Sequence, residues 1–323
     1  MRRVLLPLLL VLLSTKAQAA PKDVIAAVLG LRSEVPGDAR TADTLGRERA
    51  GSGIVIDGGG LVLTIGYLIL EASSVDLFDA AGKRIPAEVV GYDHETGLGL
   101  VRATVPLPGI TPVPLGDSDV VAIGDPLLVL SRAPELGGRE AKLVDRRDYT
   151  GYWEYLLPRA LFTSPQHAEF GGAALIDREG RLVGVGSLRV PDAAGPGIES
   201  PGNMFVPVDA LKPIMGDLIA FGRRQSAGRP WLGVISHEMD GHVVIVDVAK
   251  GSPAAAAGLA QGDLVLAVGG RDVGTLAEFY ERIWSLGAPG VRVPLRVLRQ
   301  DRVLEIESGS IDRLRWLKLD QTY

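Results

Sequence analysis

The chain lacks cysteine altogether, in a sequence of 323 residues. This absence excludes disulfide bonds, a thiolate nucleophile, a cysteine-ligated metal site and the lipid-modified cysteine of a bacterial lipoprotein. Aromatic residues are also scarce, at 5% of the chain, whereas there are 41 glycines and 21 prolines. Because glycine and proline form tight turns, this composition favours many short strands. It predicts a mainly β protein, whose length suits two domains.

An excess of one charge is missing as well, since the formal net charge is −5 and both signs are scattered along the chain. A nucleic-acid partner would need a basic patch, so we predict none.

His237 and His242 flank the turn "EMDG", but two histidines without a third ligand make a poor zinc site. The glycines after Asp57 precede neither the lysine nor the helix of a phosphate-binding loop. We therefore predict no metal and no cofactor.

The first residues, "MRRVLLPLLLVLLSTKAQAAP", combine two arginines, an apolar run of about ten residues and a small-residue cleavage pattern that ends at Ala19. This combination predicts a secretory signal peptide over residues 1–20. The apolar run is too short to span a bilayer comfortably, so we expect no transmembrane span after cleavage; an uncleaved anchor is the alternative. Export without disulfides indicates a bacterial envelope, with the protein periplasmic or secreted.

Changes in the hydrophobic pattern divide the rest of the chain. Short apolar stretches alternate with turns up to a helical pattern over residues 208–222, which favours a barrel or sandwich closed by a helix. The second domain contains a short helix capped by Ser252 and a longer helix over residues 276–286. The predicted divisions are a first domain at 21–222, a polar linker with little to bury at 223–229, a second domain at 230–312 and a tail at 313–323.

Six motifs occur in a fixed order between about residues 24 and 313: "GSGIVID", "GLVLTIGYLILEA", "VVGYDHETGLGLVRA", "FGGAALIDREGRLVGVG", "GNMFVPVDAL" and "RPWLGV". Together they resemble the HtrA/Deg family of envelope serine proteases. The resemblance implies a mainly β fold in which a trypsin-like double β-barrel is followed by an α+β PDZ domain. Family members often trimerise, so a homo-oligomer is a further expectation from the resemblance.

The family's chemistry requires a serine, a histidine that activates it and an aspartate that orients the histidine. At the matching positions this chain has Tyr67 for the histidine, Gly97 for the aspartate, and Phe170 or Gly171 for the serine. A phenol stays protonated at neutral pH and cannot act as the base. We therefore predict a pseudoprotease without hydrolase activity, in which Tyr67 and Phe170 fill the former substrate cleft.

A rearranged catalytic site is the alternative, which would make the chain an active serine-type endopeptidase. Ser164 and His167 lie near the serine loop, and His94 follows Asp93, so either pair offers a relocated dyad. Turn positions account for these residues better, because such positions need no catalysis.

The predicted PDZ domain keeps its binding machinery. In the family, the loop at "RPWLGV" binds a terminal carboxylate through backbone N–H groups, and the following strand pairs with the peptide. Arg229 adds charge attraction there, and part of the helix forms an apolar pocket, although some of its residues are also expected in the domain core. The predicted peptide-binding residues are Arg229, Leu232, Gly233, Val234, Leu276, Phe279, Tyr280 and Ile283.

These expectations lead to one functional hypothesis and one rival outside enzymology. We expect an adaptor, scaffold or holdase that binds polypeptide C-termini or unfolded envelope proteins through its PDZ domain. The rival is a purely structural partner that uses the barrel surface and leaves the PDZ groove idle.

Overall fold

The computed structural model describes residues 21–132 and 136–319. The predicted signal peptide at 1–20 lies outside the described residues, as do the last four residues of the tail. No helix in the described part of the chain has both the length and the apolar character needed to cross a membrane.

The first barrel consists of six antiparallel strands closed in the order β1-β2-β3-β6-β5-β4. Every residue of β3 is buried, as expected for the mostly apolar run "LVLTI". The strands are β1 Val28–Glu34, β2 Glu48–Val55, β3 Leu61–Ile65, β4 Ser74–Phe78, β5 Arg84–Tyr92 and β6 Leu98–Ala103.

The second barrel is also closed and antiparallel, in the order β10-β11-β12-β9-β8-β7. Its strands are β7 Pro126–Arg132, β8 Leu136–Gly151, β9 Tyr155–Ser164, β10 Ala174–Ile176, β11 Leu182–Val190 and β12 Gly202–Pro207. The β8–β9 hairpin is long and stays paired as far as Gly151 opposite Tyr155. Its tip reaches the third folded unit, where the Ser236 N–H donates to the Tyr152 carbonyl at 2.9 Å.

The third unit is a six-stranded antiparallel sheet that packs against helices, in agreement with the α+β expectation. Its strands are β13 Val234–Met239, β14 His242–Val248, β15 Leu264–Val268, β16 Arg271–Asp272, β17 Val293–Arg299 and β18 Arg302–Ser308. The two barrels and this sheet confirm the prediction of a mainly β protein.

The helices are short, and three single 3₁₀ turns accompany them. The helices are α1 Pro21–Ala26, α2 Ala42–Leu45, α3 Met215–Phe221, α4 Pro253–Ala256, α5 Leu276–Trp284 and α6 Arg313–Trp316. The 3₁₀ turns are Gly66–Leu68, Ser118–Val120 and Val208–Ala210.

Two sequence-based helix boundaries need correction, and one cap is confirmed. The pattern over 208–222 is not one helix, because the 3₁₀ turn at its start is separated from α3 by Pro213, and proline disfavours helical backbone in the residue before it. Helix α5 ends at Trp284 rather than at residue 286. The Ser252 side chain accepts a hydrogen bond from the Ala255 N–H and caps α4 as predicted.

The linker is more firmly held than its polar sequence suggested. Arg224 pairs with Asp93, which lies on the turn after β5, and its two N–H···O distances are 3.0 and 2.9 Å. The tail also docks on the first barrel, where Leu317 packs against Leu70 and Tyr92. The expectation that the linker has little to bury was therefore wrong, because its arginine side chains bury charge against carboxylates.

Candidate functional site

Tyr67 lies at the cleft between the two barrels, on the 3₁₀ turn that follows β3. Its hydroxyl donates to the Ser187 carbonyl on β11 at 3.0 Å, so the side chain bridges the barrels. Burial raises the pKa of the Tyr67 phenol above its ordinary value, which keeps it protonated. A protonated phenol that already donates its proton to a carbonyl is no base for a neighbouring hydroxyl.

The serine loop faces this phenol through Gly171. A Cβ atom built on Gly171 would lie 3.0 Å from the Tyr67 hydroxyl, so a side chain at 171 would point directly at residue 67. The Gly171 carbonyl also accepts from the Ser52 N–H of the first barrel at 2.9 Å. This geometry favours Gly171 over Phe170 as the position that matches a nucleophile. Phe170 and Tyr67 are both half-buried, and Tyr67 packs against the hydrophobic core of the barrels.

A tyrosine from the second barrel fills the space beside Gly97. A Cβ atom on Gly97 would lie 3.4 Å from the Tyr155 hydroxyl, and that hydroxyl donates to the Thr96 carbonyl at 2.8 Å. Gly97 itself has a left-handed backbone, with φ of 78°. The cleft therefore presents phenol groups near both Gly171 and Gly97.

The two relocated dyads that the sequence offered do not form. His167 pairs with Ser131 instead of Ser164, with 2.8 Å between its Nε2 and the Ser131 hydroxyl oxygen. Ser131 is fully buried, so a substrate has no access to its hydroxyl. The Ser164 hydroxyl donates weakly to the Pro201 carbonyl at 3.4 Å. The Ser131–His167 pair was not predicted, because 36 residues separate its members and no local motif marks either one.

Asp93 is engaged in a structural role, and the His94 side chain is half-buried beside it. Besides its pairing with Arg224, the Asp93 carboxylate accepts from the backbone N–H and the hydroxyl of Thr96 at 2.9 and 2.8 Å. These partners hold the pKa of Asp93 below its ordinary value in spite of burial. Burial lowers the pKa of His94 to about 4, so its imidazole is neutral at physiological pH. Neither residue contributes to a dyad with a serine.

His242 pairs with Met239 at the turn end of the β13–β14 hairpin, and His237 pairs with Val244 two residues further along. The His237 ring stacks on Tyr152 with 5.4 Å between ring centroids. Within residues 21–132 and 136–319, no group of three or more histidine, aspartate or glutamate side chains is placed to hold a metal ion.

The loop before β13 is a carboxylate-binding loop, and a carboxylate of the same chain occupies it. The N–H groups of Leu232, Gly233 and Val234 donate to the Glu154 side chain at 3.0, 2.7 and 3.0 Å. Gly233 has φ of 88°, and a Cβ there would come within 2.3 Å of the Ser252 Cβ. Only glycine fits at this point, so the chain places three amides around one anion.

Glu154 reaches the loop from the tip of the β8–β9 hairpin and is only 8% exposed. Burial raises the pKa of its carboxyl group to about 7, although the three backbone N–H groups and the positive charge of Arg313 oppose the shift. Sequence reasoning missed this residue. The only local signal was the aromatic run "GYWEY", which gives no indication that its glutamate contacts a loop almost 80 residues further along the chain.

The other residues predicted to line the groove lie in the domain core or pair elsewhere. Leu276, Phe279, Tyr280 and Ile283 are all buried on α5 and belong to the domain core. Arg229 pairs with Glu95 at 3.2 Å rather than with the carboxylate in the loop, and its guanidinium lies 4.0 Å from the centroid of the Trp284 ring.

Two family models match this chain: a trypsin-like peptidase domain over residues 51–185 and a PDZ domain over residues 230–308. The chain belongs to the HtrA family. This HtrA chain is 26% identical over 274 residues to the serine endoprotease DegS of Haemophilus influenzae, covering 82% of this chain and 77% of DegS. It is 26% identical over 276 residues to the periplasmic pH-dependent serine endoprotease DegQ of Escherichia coli, and the match covers 80% of this chain and 59% of DegQ.

A DegP-like protein of Chlamydia muridarum, described as a periplasmic serine endoprotease, is 27% identical over 276 residues. The match covers 79% of this HtrA chain and 52% of the relative, so the chain spans about half the length of that protein.

Solved HtrA structures share the fold. The HtrA-type protease AlgW with tripeptide has a TM-score of 0.52 at 19% identity and covers 90% of this chain and 95% of its own. The serine endoprotease from Yersinia pestis has a TM-score of 0.52 at 20% identity, and the match covers 90% of this chain and 96% of that protein.

Proposed function

We propose that this chain is an envelope HtrA-family pseudoprotease that binds polypeptides through its PDZ domain and does not cut them. The observation that carries the proposal is the cleft at Gly171, where the facing side chain is the protonated phenol of Tyr67. Acyl transfer requires a nucleophile and a base in contact. Both groups are missing at these positions, and losing even one catalytic group typically costs about 10⁴-fold or more in rate.

The binding half of the proposal rests on the PDZ loop. Three converging amides that already hold a carboxylate have the geometry needed for a peptide's terminal carboxylate. AlgW, a structural neighbour, has been captured with a tripeptide and with a decapeptide. Adaptor, scaffold or holdase roles are all consistent with binding without cleavage. Relatives named as periplasmic support a place in the bacterial envelope.

Casein digestion tests the catalytic half. The purified chain is expected to leave casein intact over hours, with trypsin as the positive control. Hydrolysis that a serine-directed inhibitor abolishes would contradict the proposal.

The second candidate, an active peptidase with a rearranged site, predicts that a serine substitution abolishes any activity. Ser164→Ala and Ser131→Ala test whether either of these two serines acts as a nucleophile. Since the Ser164 hydroxyl contacts only a carbonyl and Ser131 is buried, we expect neither change to alter casein turnover from background.

The binding half is tested by titrating the chain with a library of peptides that have free C-termini. Binding that is lost when the peptide carboxylate is amidated supports it. If no peptide with a free C-terminus binds, the result would favour the purely structural role, in which the PDZ groove is idle.

A further inference from the structure

The β8–β9 hairpin tip, residues 151–155, occupies the PDZ groove in the manner of a bound peptide. An extended peptide binds such a groove by main-chain pairing with the edge strand and by placing a carboxylate in the loop. The hairpin tip does both, since the Tyr152 carbonyl accepts from the Ser236 N–H of β13 and the Glu154 carboxylate accepts from the loop. Stacking of Tyr152 on His237 adds a side-chain contact on the same strand.

Aromatic contacts within the β8–β9 hairpin hold its tip in the docked conformation. Trp153 stacks on Tyr155 with 5.2 Å between ring centroids and meets Tyr152 edge-on at 4.8 Å. Tyr149 packs against both Trp153 and Tyr155 at 6.4 Å. A segment held in its bound conformation loses little entropy on binding. Because it is tethered, the tip also competes at an effective concentration on the order of millimolar.

The backbone at Glu154 indicates that the side chain is needed for this contact. Glu154 has φ of 57°, in the left-handed region that glycine adopts without strain and other residues rarely enter. A glycine would satisfy the turn at no cost, but it would leave the three loop amides without their carboxylate. The strain at Glu154 is therefore offset by its contact in the PDZ loop.

We propose that the hairpin tip is a built-in competitor that closes the PDZ groove, and that an external polypeptide binds only after its carboxylate displaces that of Glu154. This inference rests on the proposed peptide-binding function and adds its regulation. The displacing ligand is an extended chain that ends in a carboxylate, for which residues 152–154 serve as the template. Its apparent affinity is reduced by the small fraction of molecules in which the groove is open.

The test compares the wild type with Glu154→Gly, which removes the carboxylate and suits the left-handed backbone. Asp240→Gly is the matched control, because Asp240 is also an acidic residue at a hairpin tip, with φ of 50°, and is exposed. The probe is a fluorescein-labelled peptide of residues 148–154, Asp-Tyr-Thr-Gly-Tyr-Trp-Glu, with a free C-terminus. Glu154→Asn, whose short uncharged side chain also tolerates left-handed backbone, provides a second variant if the first folds poorly.

We expect Glu154→Gly and Glu154→Asn to bind the probe about tenfold or more tightly than the wild type, with Asp240→Gly unchanged. If all four proteins bind the labelled peptide with the same measurable affinity, the hairpin tip does not compete for the groove, although the peptide-binding function would still stand.

Hydrogen exchange of the Leu232, Gly233 and Val234 amides gives a readout that needs no peptide. Their exchange should accelerate in both Glu154 variants and not in Asp240→Gly, because only the former lose the acceptor. Unchanged exchange would overturn the contact itself. Faster exchange with no probe binding by any of the four proteins would overturn the peptide-binding function, and with it the regulation.

Discussion

The cleft between the barrels and the groove of the PDZ domain are both filled by side chains of the same chain, but in different ways. At the cleft, Tyr67 belongs to the turn that follows a fully buried strand and donates a hydrogen bond to the opposite barrel. At the groove, Glu154 sits on the tip of a long hairpin and meets backbone amides that suit any carboxylate. The first side chain packs against the hydrophobic core of the barrels, whereas the second is exchangeable in our proposal.

Under the proposed function, this difference explains how catalysis can be lost while peptide binding is retained. Filling the cleft with a phenol stabilises the fold and removes the base. Filling the groove with a carboxylate leaves the amides in place for a competitor. In the proposed function, the fold thus keeps a binding site that can open next to a catalytic cleft that cannot.

The largest expected effect concerns the linker, because Arg224 connects the PDZ domain to the first barrel. Arg224→Ala leaves the Asp93 carboxylate, with only 2% of its side chain exposed, without its charge partner. We expect a loss of about 3 kcal/mol in the free energy of unfolding, measured by urea denaturation. Arg223→Ala is the control, since Arg223 is 54% exposed and pairs with Asp312 at 3.6 Å, so it should cost less than about 1 kcal/mol.

The Arg224 effect should depend on pH with a defined sign. The pKa of Asp93 is lowered in the folded protein, so its contribution is present above the ordinary aspartate value of about 3.9 and is lost as the pH falls through the lower folded value. Equal destabilisation by the Arg223 and Arg224 substitutions would contradict a fixed connection through Asp93.

The next effect is the pH dependence of the closed groove. Docking raises the pKa of Glu154 from about 4.3, the ordinary glutamate value, to about 7. Docking therefore takes up a proton, so the closed state is most stable below about pH 4.3 and weakens as the pH rises through 7. The charged and titratable groups around this carboxyl group are His94, Glu95, Arg229, Tyr280 and Arg313.

Glu154→Gly lacks the titrating group and serves as the reference for the pH effect. Between pH 5 and pH 8, the affinity ratio of this variant to the wild type should fall by on the order of tenfold to a hundredfold, measured with the fluorescein-labelled peptide. A ratio that rises with pH would contradict the burial of Glu154 as the cause.

A smaller effect is expected at the permanently filled cleft. Tyr67→Ala removes a ring that packs against the barrel core and should lower the free energy of unfolding by about 2 kcal/mol in urea denaturation. Tyr67→Phe keeps the ring and removes only the hydrogen bond to the Ser187 carbonyl, so it should cost about 1 kcal/mol. If Tyr67→Ala is as stable as the wild type, the phenol is not part of the core.

The smallest expected effect is that of restoring a hydroxyl at the cleft. Gly171→Ser places a side chain 3.0 Å from the Tyr67 hydroxyl without supplying a base, so casein turnover should stay at background. The crowding should cost about 1 kcal/mol of stability. Hydrolysis gained by this single substitution would show that the cleft still holds a functional base.

Local patterns allowed the sequence to predict much of the fold, because they depend on residues close together in the chain. The helix cap at Ser252, the glycine loop at Gly233 and the phenol at Tyr67 each follow from a short motif. The break before α3 was not predicted, because apolar residues continue at helical spacing on both sides of Pro213.

The missed contacts are tertiary. Glu154 meets a loop in another domain, and Ser131 meets His167 across the second barrel. Burial determines the chemistry of both residues, because it shields the Ser131 hydroxyl from substrate and raises the pKa of the Glu154 carboxyl group. No periodicity or spacing within the chain encodes those distances.

The most direct test of binding without cutting uses the Glu154→Gly chain, in which the groove is open. The labelled peptide is bound at saturation, incubated for hours and then examined by mass spectrometry. We predict tight binding and full recovery of the intact peptide. Peptide fragments whose formation stops with a serine-directed inhibitor would contradict it.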